Sequence, residues 1–205
     1  MTKTLIVSYT PRINSNTQKL VQDFMTKSQG KTEVSYLNLV THTPDLLLKD
    51  NLNIMLKRNF TDIALSEEEK RLLAKNDEML SQLKASDFIV LAYPMNNFTV
   101  PAPVKAWIDA VLQPNQTFKL TEKGYDGLCH GKKAAVLMTT GGDYDLEIAK
   151  PMNHATGLIT TVFGIIGIPS QHISAYGLNV YPNRINEILE VTKEKITDLV
   201  KLWYN

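Results

Sequence analysis

The sequence predicts one doubly wound α/β domain over residues 1–205, with a five-stranded parallel sheet in the order 2-1-3-4-5 and helices on both faces. Short apolar runs alternate along the chain with amphipathic stretches, as strands alternate with helices in folds of this class. Two of the runs, 88–92 and 134–138, are almost continuously apolar, which is typical of strands covered on both faces. No repeat and no Gly/Ser-rich linker divides the chain.

The strands are expected at residues 5–7, 34–39, 88–92, 134–138 and 172–175. Apolar residues at helical spacing predict helices around residues 20–25, 66–84, 104–111, 158–166 and 185–203. Ser66 and Glu69 form a capping box at the start of the second of these helices. The connection between the second and third strands is long and contains apolar side chains such as Met55 and Phe60. Connections of this kind usually carry function or form an interface.

The composition gives no support for nucleic-acid or membrane binding. The 22 basic and 21 acidic side chains leave a formal charge of +1, so no electrostatic attraction to either is indicated. The single cysteine, Cys129, cannot form an internal disulfide or a metal site. The apolar run 5–7 is too short for a signal-peptide core, and no run is long enough to span a membrane. We therefore expect a soluble, cytoplasmic protein without a metal site.

A ligand site is expected beyond the carboxyl ends of the strands, where loops 8–17, 93–101 and 139–143 follow the first, third and fourth strands. The first loop offers hydroxyl and amide side chains at a helix N-terminus, where unpaired N–H groups favour an anion such as a phosphate monoester. It contains no glycine, so neither the dinucleotide fingerprint nor the Walker pattern is present. Ser15 with Gln18 also fits a capping box, and Asn14 alone could cap the helix. A purely structural role for this loop stays open.

The other two loops suit a flat, partly polar ring. Met95 and Phe98 could cover a face of an isoalloxazine, and the Asn97 amide could pair with its polar edge. The paired glycines Gly141 and Gly142 allow close approach of the backbone to a ligand. Each loop also has a plain interpretation, as a polar turn with buried apolar residues or as a Gly-Gly turn. Their joint position at the ends of adjacent strands favours the binding site.

Several segments carry a family resemblance. Residues 94–98, followed by Pro101, Lys105, Trp107 and Asp109, are similar to the PMYNF…K.W.D stretch of FMN-dependent NADH azoreductases. The run 117–134 resembles the TF…ENG…GL…GKKA run of that family, and 139–142 and 15–17 resemble its glycine-pair segment and S-x-S phosphate loop. The resemblance spans essentially the whole chain. Asn96 stands where the family commonly has tyrosine and Thr140 where it often has arginine, which bears on substrate and nucleotide preference.

The resemblance implies a flavodoxin-like fold and a homodimer with one FMN per subunit and active sites at the subunit interface. It also implies reduction of quinones and azo compounds by NADH or NADPH. By position, the phosphate would be held by Ser15, Asn16 and Thr17. The ring and ribityl chain would be held by Met95, Asn96, Asn97, Phe98, Thr139, Thr140, Gly141 and Gly142. An early serine contact maps to Ser8 or Thr10, and Phe118 of the TF motif is expected to close over the substrate.

No side chain is expected to be catalytic, because a flavin carries the redox chemistry and the protein supplies orientation and electrostatics. With one flavin face open, donor and acceptor must reach the same atom in turn, which predicts ping-pong kinetics. The dimer is expected to bury the insertion around Met55 and Phe60 and part of helix 158–166. Two alternatives are a flavodoxin-type electron carrier, which would tend to be shorter and more acidic, and a binding module that has lost the flavin.

Overall fold

Seven strands and six α-helices are found in the computed structural model, which describes residues 1–204. The strands are β1 (Lys3–Ser8), β2 (Glu33–Asn38), β3 (Phe88–Pro94), β4 (Phe118–Thr121), β5 (Gly124–Gly127), β6 (Lys133–Thr139) and β7 (Ser170–Ala175). The helices are α1 (Asn16–Ser28), α2 (Lys49–Phe60), α3 (Glu67–Ala85), α4 (Ala102–Val111), α5 (His154–Ile165) and α6 (Ile185–Tyr204). No helix in this part of the chain is both long and apolar enough to cross a membrane.

The central sheet has five parallel strands in the order β2-β1-β3-β6-β7, with helices on both faces. The parallel sheet is confirmed, but the order 2-1-3-4-5 is wrong in its numbering. A separate antiparallel hairpin, β4–β5, lies between β3 and β6 in the chain and shifts the later strand numbers. Its strands have four residues each and are mostly exposed, so they lack the apolar pattern that marks the sheet strands.

Alternating side chains of the central strands enter two separate cores, one on each face of the sheet. Leu5, Ile89 and Val136 belong to the core that contains Trp107 of α4. Their chain neighbours, including Ile6 and Val90, belong to the core that α1 and α6 cover. Because side chains point alternately to opposite faces, a strand covered on both sides must be apolar at nearly every position. This explains the continuous apolar runs of β3 and β6.

The long connection after β2 contains α2, a helix that the sequence analysis did not predict. Met55 of α2 is buried against Leu73 of α3, whereas Phe60 is 60% exposed. The predicted capping box at the start of α3 is present, with hydrogen bonds in both directions between Ser66 and Glu69. The apolar side chains of Ile159, Val162 and Phe163 on α5, and of the next residue after it, Ile166, are buried within the same chain. Their apolar character therefore needs no partner subunit to explain it.

Candidate functional site

The loops after β1, β3 and β6 meet at the carboxyl edge of the sheet around a cavity of about 440 Å³. A second cavity of about 230 Å³ adjoins it and shares Met95, Thr140 and Gly141 with it. Volumes of this size suit a small organic ligand. Larger clefts lie on the exposed insertion and at the β4–β5 hairpin, away from this edge. Between them the two adjoining cavities are lined by the predicted residues Ser15, Asn16, Thr17, Met95, Asn96, Asn97, Phe98, Thr139, Thr140, Gly141 and Gly142.

The N-terminus of α1 forms one end of the larger cavity. Ser15 is the N-cap, and its hydroxyl oxygen accepts a hydrogen bond from the backbone N–H of Gln18 at 3.3 Å. The side chain of Gln18 does not return this bond but accepts one from Thr10, so the reciprocal capping box is absent. The capping interpretation of Ser15 is therefore correct. It is compatible with ligand binding, because the N–H groups of Asn16 and Thr17 have no partner inside the helix.

Two side chains of this helix turn are fixed by polar contacts. The Thr17 hydroxyl is buried and lies 2.6 Å from the hydroxyl of Thr139, at the end of β6. This contact ties the start of α1 to the end of β6, and both residues line the larger cavity. The Asn16 side-chain oxygen accepts a hydrogen bond from the Lys19 ammonium at 3.0 Å. The turn is thus held in place by the fold before any ligand binds.

The turn after β3 has an unusual backbone. Asn96 and Thr99 exchange two backbone hydrogen bonds of 3.0 Å, which closes a two-residue hairpin. The two central residues, Asn97 and Phe98, have φ angles of 45° and 69°. Such turns favour Asn and Gly, and a bulky side chain in the left-handed region is strained by roughly 1–3 kcal/mol. Strain of this kind is concentrated at functional sites, and here it places a half-exposed phenylalanine beside the smaller cavity.

The strained turn is braced from behind by α5. The backbone N–H of His154, the first residue of α5, donates to the carbonyl oxygen of Phe98 at 3.0 Å. Asn153 caps the same helix by accepting from the N–H of Thr156, and its amide donates to the Tyr176 hydroxyl at 3.3 Å. The helix terminus therefore fixes the Phe98 backbone in its strained conformation.

The glycine loop after β6 is held by the segment that follows β7. The N–H groups of Gly177 and Asn179 donate to the carbonyl oxygens of Gly142 and Gly141, at 2.8 and 3.0 Å. A Cβ atom at Gly141 would overlap the side-chain amide of Asn179. A side chain at this position would therefore have to displace the amide of Asn179, which itself lines the cavity.

A side-chain latch secures the far end of the glycine loop. The Tyr181 hydroxyl donates to the Asp143 carboxylate at 3.0 Å, and the Arg184 guanidinium lies 5.5 Å from the centre of the Tyr181 ring. The hydrogen bond to the carboxylate raises the pKa of Tyr181 above its ordinary value, because ionisation would remove the donor.

Three of the predicted site residues lie outside both cavities. The Ser8 hydroxyl is buried 2.6 Å from the hydroxyl of Tyr36, and Thr10 donates to Gln18 at 2.8 Å. Phe118 is half-buried at the start of β4 and packs edge-on against the Tyr125 ring, with 5.5 Å between the ring centres. These side chains contact protein neighbours within the chain.

Several lining residues were not predicted from the sequence. Leu178, Asn179 and Ile185 follow β7, a strand end that the topological rule does not single out. Tyr144 lies two residues beyond the predicted glycine loop and lines the smaller cavity. Arg12 belongs to the first loop, but none of the motifs includes it.

Known proteins share the fold of this chain and part of its sequence. A family model described as a flavodoxin-like fold matches residues 2–200. An FMN-dependent NADH:quinone oxidoreductase of Bacillus cereus is 35% identical over 204 residues, which cover 96% of this chain and 97% of the relative. Another, from Polaromonas naphthalenivorans, is 40% identical over 149 residues, covering 72% of this chain and 68% of the relative.

Solved structures give the same assignment. The crystal structure of an azoreductase from Bacillus anthracis superposes with a TM-score of 0.91 at 27% sequence identity, covering 99% of this chain and all of that one. The resemblance seen in the sequence is thereby confirmed. The chain belongs to the FMN-dependent NADH:quinone oxidoreductases, an oxidoreductase family that includes azoreductases and has the flavodoxin-like fold.

Proposed function

We propose that this chain binds one FMN per subunit at the carboxyl edge of the sheet and reduces quinones and azo compounds with NADH or NADPH. The observation that carries the proposal is the convergence of three separate loops on one cavity, with an anion-binding end and an apolar, amide-bearing end. Membership of the family supports the cofactor, the donor and the class of acceptor. Within this proposal, residues 1–205 act as a single FMN-binding domain.

The residues present fit an FMN. At one end, the free N–H groups of the first turn of α1 and the hydroxyls of Ser15 and Thr17 suit the phosphate. At the other end, Met95 and Phe98 offer apolar surface and Asn97 offers an amide. The glycine loop, with no side chain at Gly141 or Gly142, lies between these two ends. A long molecule with an anionic tail and a flat head therefore matches the order of the lining groups.

Bound FMN would supply the two-electron chemistry that no side chain here can perform. The residues around the cavity contribute position and charge. Apart from Arg12, the lining residues of the larger cavity carry no ionisable side chain, so none of them is suited to general acid–base catalysis. The strained turn 96–99 and the braced loop 139–142 would fix the ring before either substrate binds.

Donor and acceptor would bind one after the other. If Met95, Phe98 and the glycine loop cover one face of the ring, both substrates must reach the ring from the other face. Initial rates measured with menadione at several fixed NADH concentrations should give parallel double-reciprocal lines. Intersecting lines would show a ternary complex and contradict the shared face. Turnover without any added protein would also separate this enzyme from a flavodoxin-type carrier.

We also propose that the protein acts as a cytoplasmic homodimer. Leu52, Leu56 and Phe60 give α2 an exposed apolar face, and a single buried cysteine suits a reducing compartment. Sedimentation at micromolar concentration should show a dimer, and a monomer would refute this part of the proposal.

The substrate role of Phe118 has its own test. Phe118→Ala should lower kcat/KM for the quinone more than it alters the flavin spectrum, because the side chain would cover the substrate and not hold the cofactor. Equal losses of flavin binding and quinone turnover would place Phe118 in the cofactor site.

A further inference from the structure

Arg12 is an exposed side chain at the edge of the larger cavity, close in sequence to the capped turn 15–17. It is the single ionisable residue among those that line this cavity. Arg58 is paired with Asp77, and Arg184 with Glu187. Arg12 forms no salt bridge with any described residue, so its positive charge is available to a ligand.

Without Arg12, the end of the cavity where the phosphate would bind offers only a partial positive charge. A phosphate monoester carries roughly −1.5 to −2 charges at neutral pH. The N-terminus of α1 supplies the equivalent of roughly half a positive charge. The nearby ammonium of Lys19 is engaged with Asn16 at 3.0 Å, and the Ser15 oxygen already caps the helix. Removing a dianion from water into such a site is costly unless a cation accompanies it.

We propose that Arg12 is a further cofactor-binding residue, which pairs with the terminal phosphate and makes the chain select FMN over flavins that lack this group. The guanidinium suits this role because it is always charged and its planar fork of donors matches phosphate oxygens. The inference rests on the proposed function, since it concerns the same cavity. It adds a charge-based selectivity that the hydroxyl and amide groups of the turn do not provide.

The test compares FMN with riboflavin, which has the same ring and no phosphate. The affinity of the apoprotein for each is measured by quenching of flavin fluorescence, in the wild type and in Arg12→Ala, Arg12→Lys and Arg71→Ala. Arg71 is an exposed arginine of α3 that lies outside both cavities and serves as the matched control. Arg12→Ala should weaken FMN binding by roughly 10- to 100-fold, the loss expected for a charge-assisted contact.

Riboflavin affinity should change less than twofold in Arg12→Ala, Arg12→Lys should recover part of the FMN affinity, and Arg71→Ala should match the wild type. Equal FMN affinity in the wild type and Arg12→Ala would overturn the inference and leave the proposed function standing. Equal losses for both flavins would also overturn it, because the arginine would then act on the ring or on the fold. A wild-type protein that binds neither flavin would contradict the proposed function, and the inference would fail with it.

Discussion

The turns 15–17 and 96–99 border the cavities at the sheet edge. They differ in how far contacts within the protein explain their structure. The turn 15–17 has a relaxed N-cap, and its polar side chains all have partners within the protein. The turn 96–99 holds two consecutive residues with positive φ and leaves Phe98 half exposed. The first turn would be found in many proteins without a ligand. The second holds a bulky phenylalanine in a strained backbone conformation.

The difference shows at which kind of turn a functional role can be recognised from the structure. At a well-capped helix N-terminus, a ligand-binding residue cannot be distinguished from a structural one, because one hydroxyl group can both cap the helix and bind a ligand. At a strained turn braced by a helix terminus, the cost itself indicates selection for something other than stability. The comparison predicts that changes in the first turn lower cofactor affinity, whereas relief of strain in the second lowers activity without lowering stability.

The largest effect is expected from Ser15→Ala combined with Thr17→Ala. The double variant removes two hydroxyl groups at the anionic end of the cavity, each worth roughly 1.5–3 kcal/mol if bonded to a charged group. FMN affinity, measured by titration of the apoprotein, should fall by well over tenfold. Thr26→Ala, at the other end of α1, is the control, because its hydroxyl bonds only to the Gln22 carbonyl. Unchanged FMN affinity in the double variant would show that the turn is only a cap.

A smaller effect is expected from Phe98→Gly, which creates the Asn-Gly pair preferred in this turn. Stability should stay the same or rise by up to about 1 kcal/mol, because glycine adopts positive φ without strain. Quinone kcat/KM should fall by roughly tenfold, since the flavin ring would lose its apolar contact with the Phe98 side chain. Phe98→Leu keeps both the strain and the apolar side chain and should retain most of the activity. Lower stability with unchanged kinetics would reverse the interpretation of this turn.

The smallest effect is expected from Tyr181→Phe, which opens the latch behind the glycine loop. FMN affinity should change by less than threefold, because Tyr181 lines neither of the two cavities at the sheet edge. The folded-state pKa of Tyr181 is raised, so the latch contributes below the ordinary phenol pKa of about 10 and is lost as the pH rises through the raised value. Thermal melts should therefore differ between the wild type and Tyr181→Phe at neutral pH and converge as the pH rises through the raised pKa. Identical profiles would show that the latch adds nothing.

The centre of the sheet was predictable because β3 and β6 are buried on both faces and are therefore apolar almost throughout. The hairpin β4–β5 was missed because its strands are short, mostly exposed and carry few apolar residues. Helix α2 was missed although Leu52, Leu56 and Phe60 recur at helical spacing, because its N-cap, Leu48, gives no capping signal. The numbering of the later strands was wrong because of the hairpin alone.

The parts of the site that depend on sheet topology and sequence motifs could be predicted. The loops after β1, β3 and β6 converge as expected, because parallel strands end at one edge. Asn179 could not be predicted, since its role depends on a close contact between two loops far apart in sequence. The strain at Phe98 could not be predicted either, because phenylalanine does not favour positive φ and nothing in the turn sequence indicates it there.

The central claim is that the three loops form a single FMN site, and a crystal structure of the protein grown with FMN tests it most directly. The account predicts FMN across the adjoining cavities of about 440 and 230 Å³, with its phosphate at the N-terminus of α1 and its ring beside Met95 and Phe98. Density for FMN along the insertion or the β4–β5 hairpin, with the cavity at the sheet edge containing only water, would contradict it.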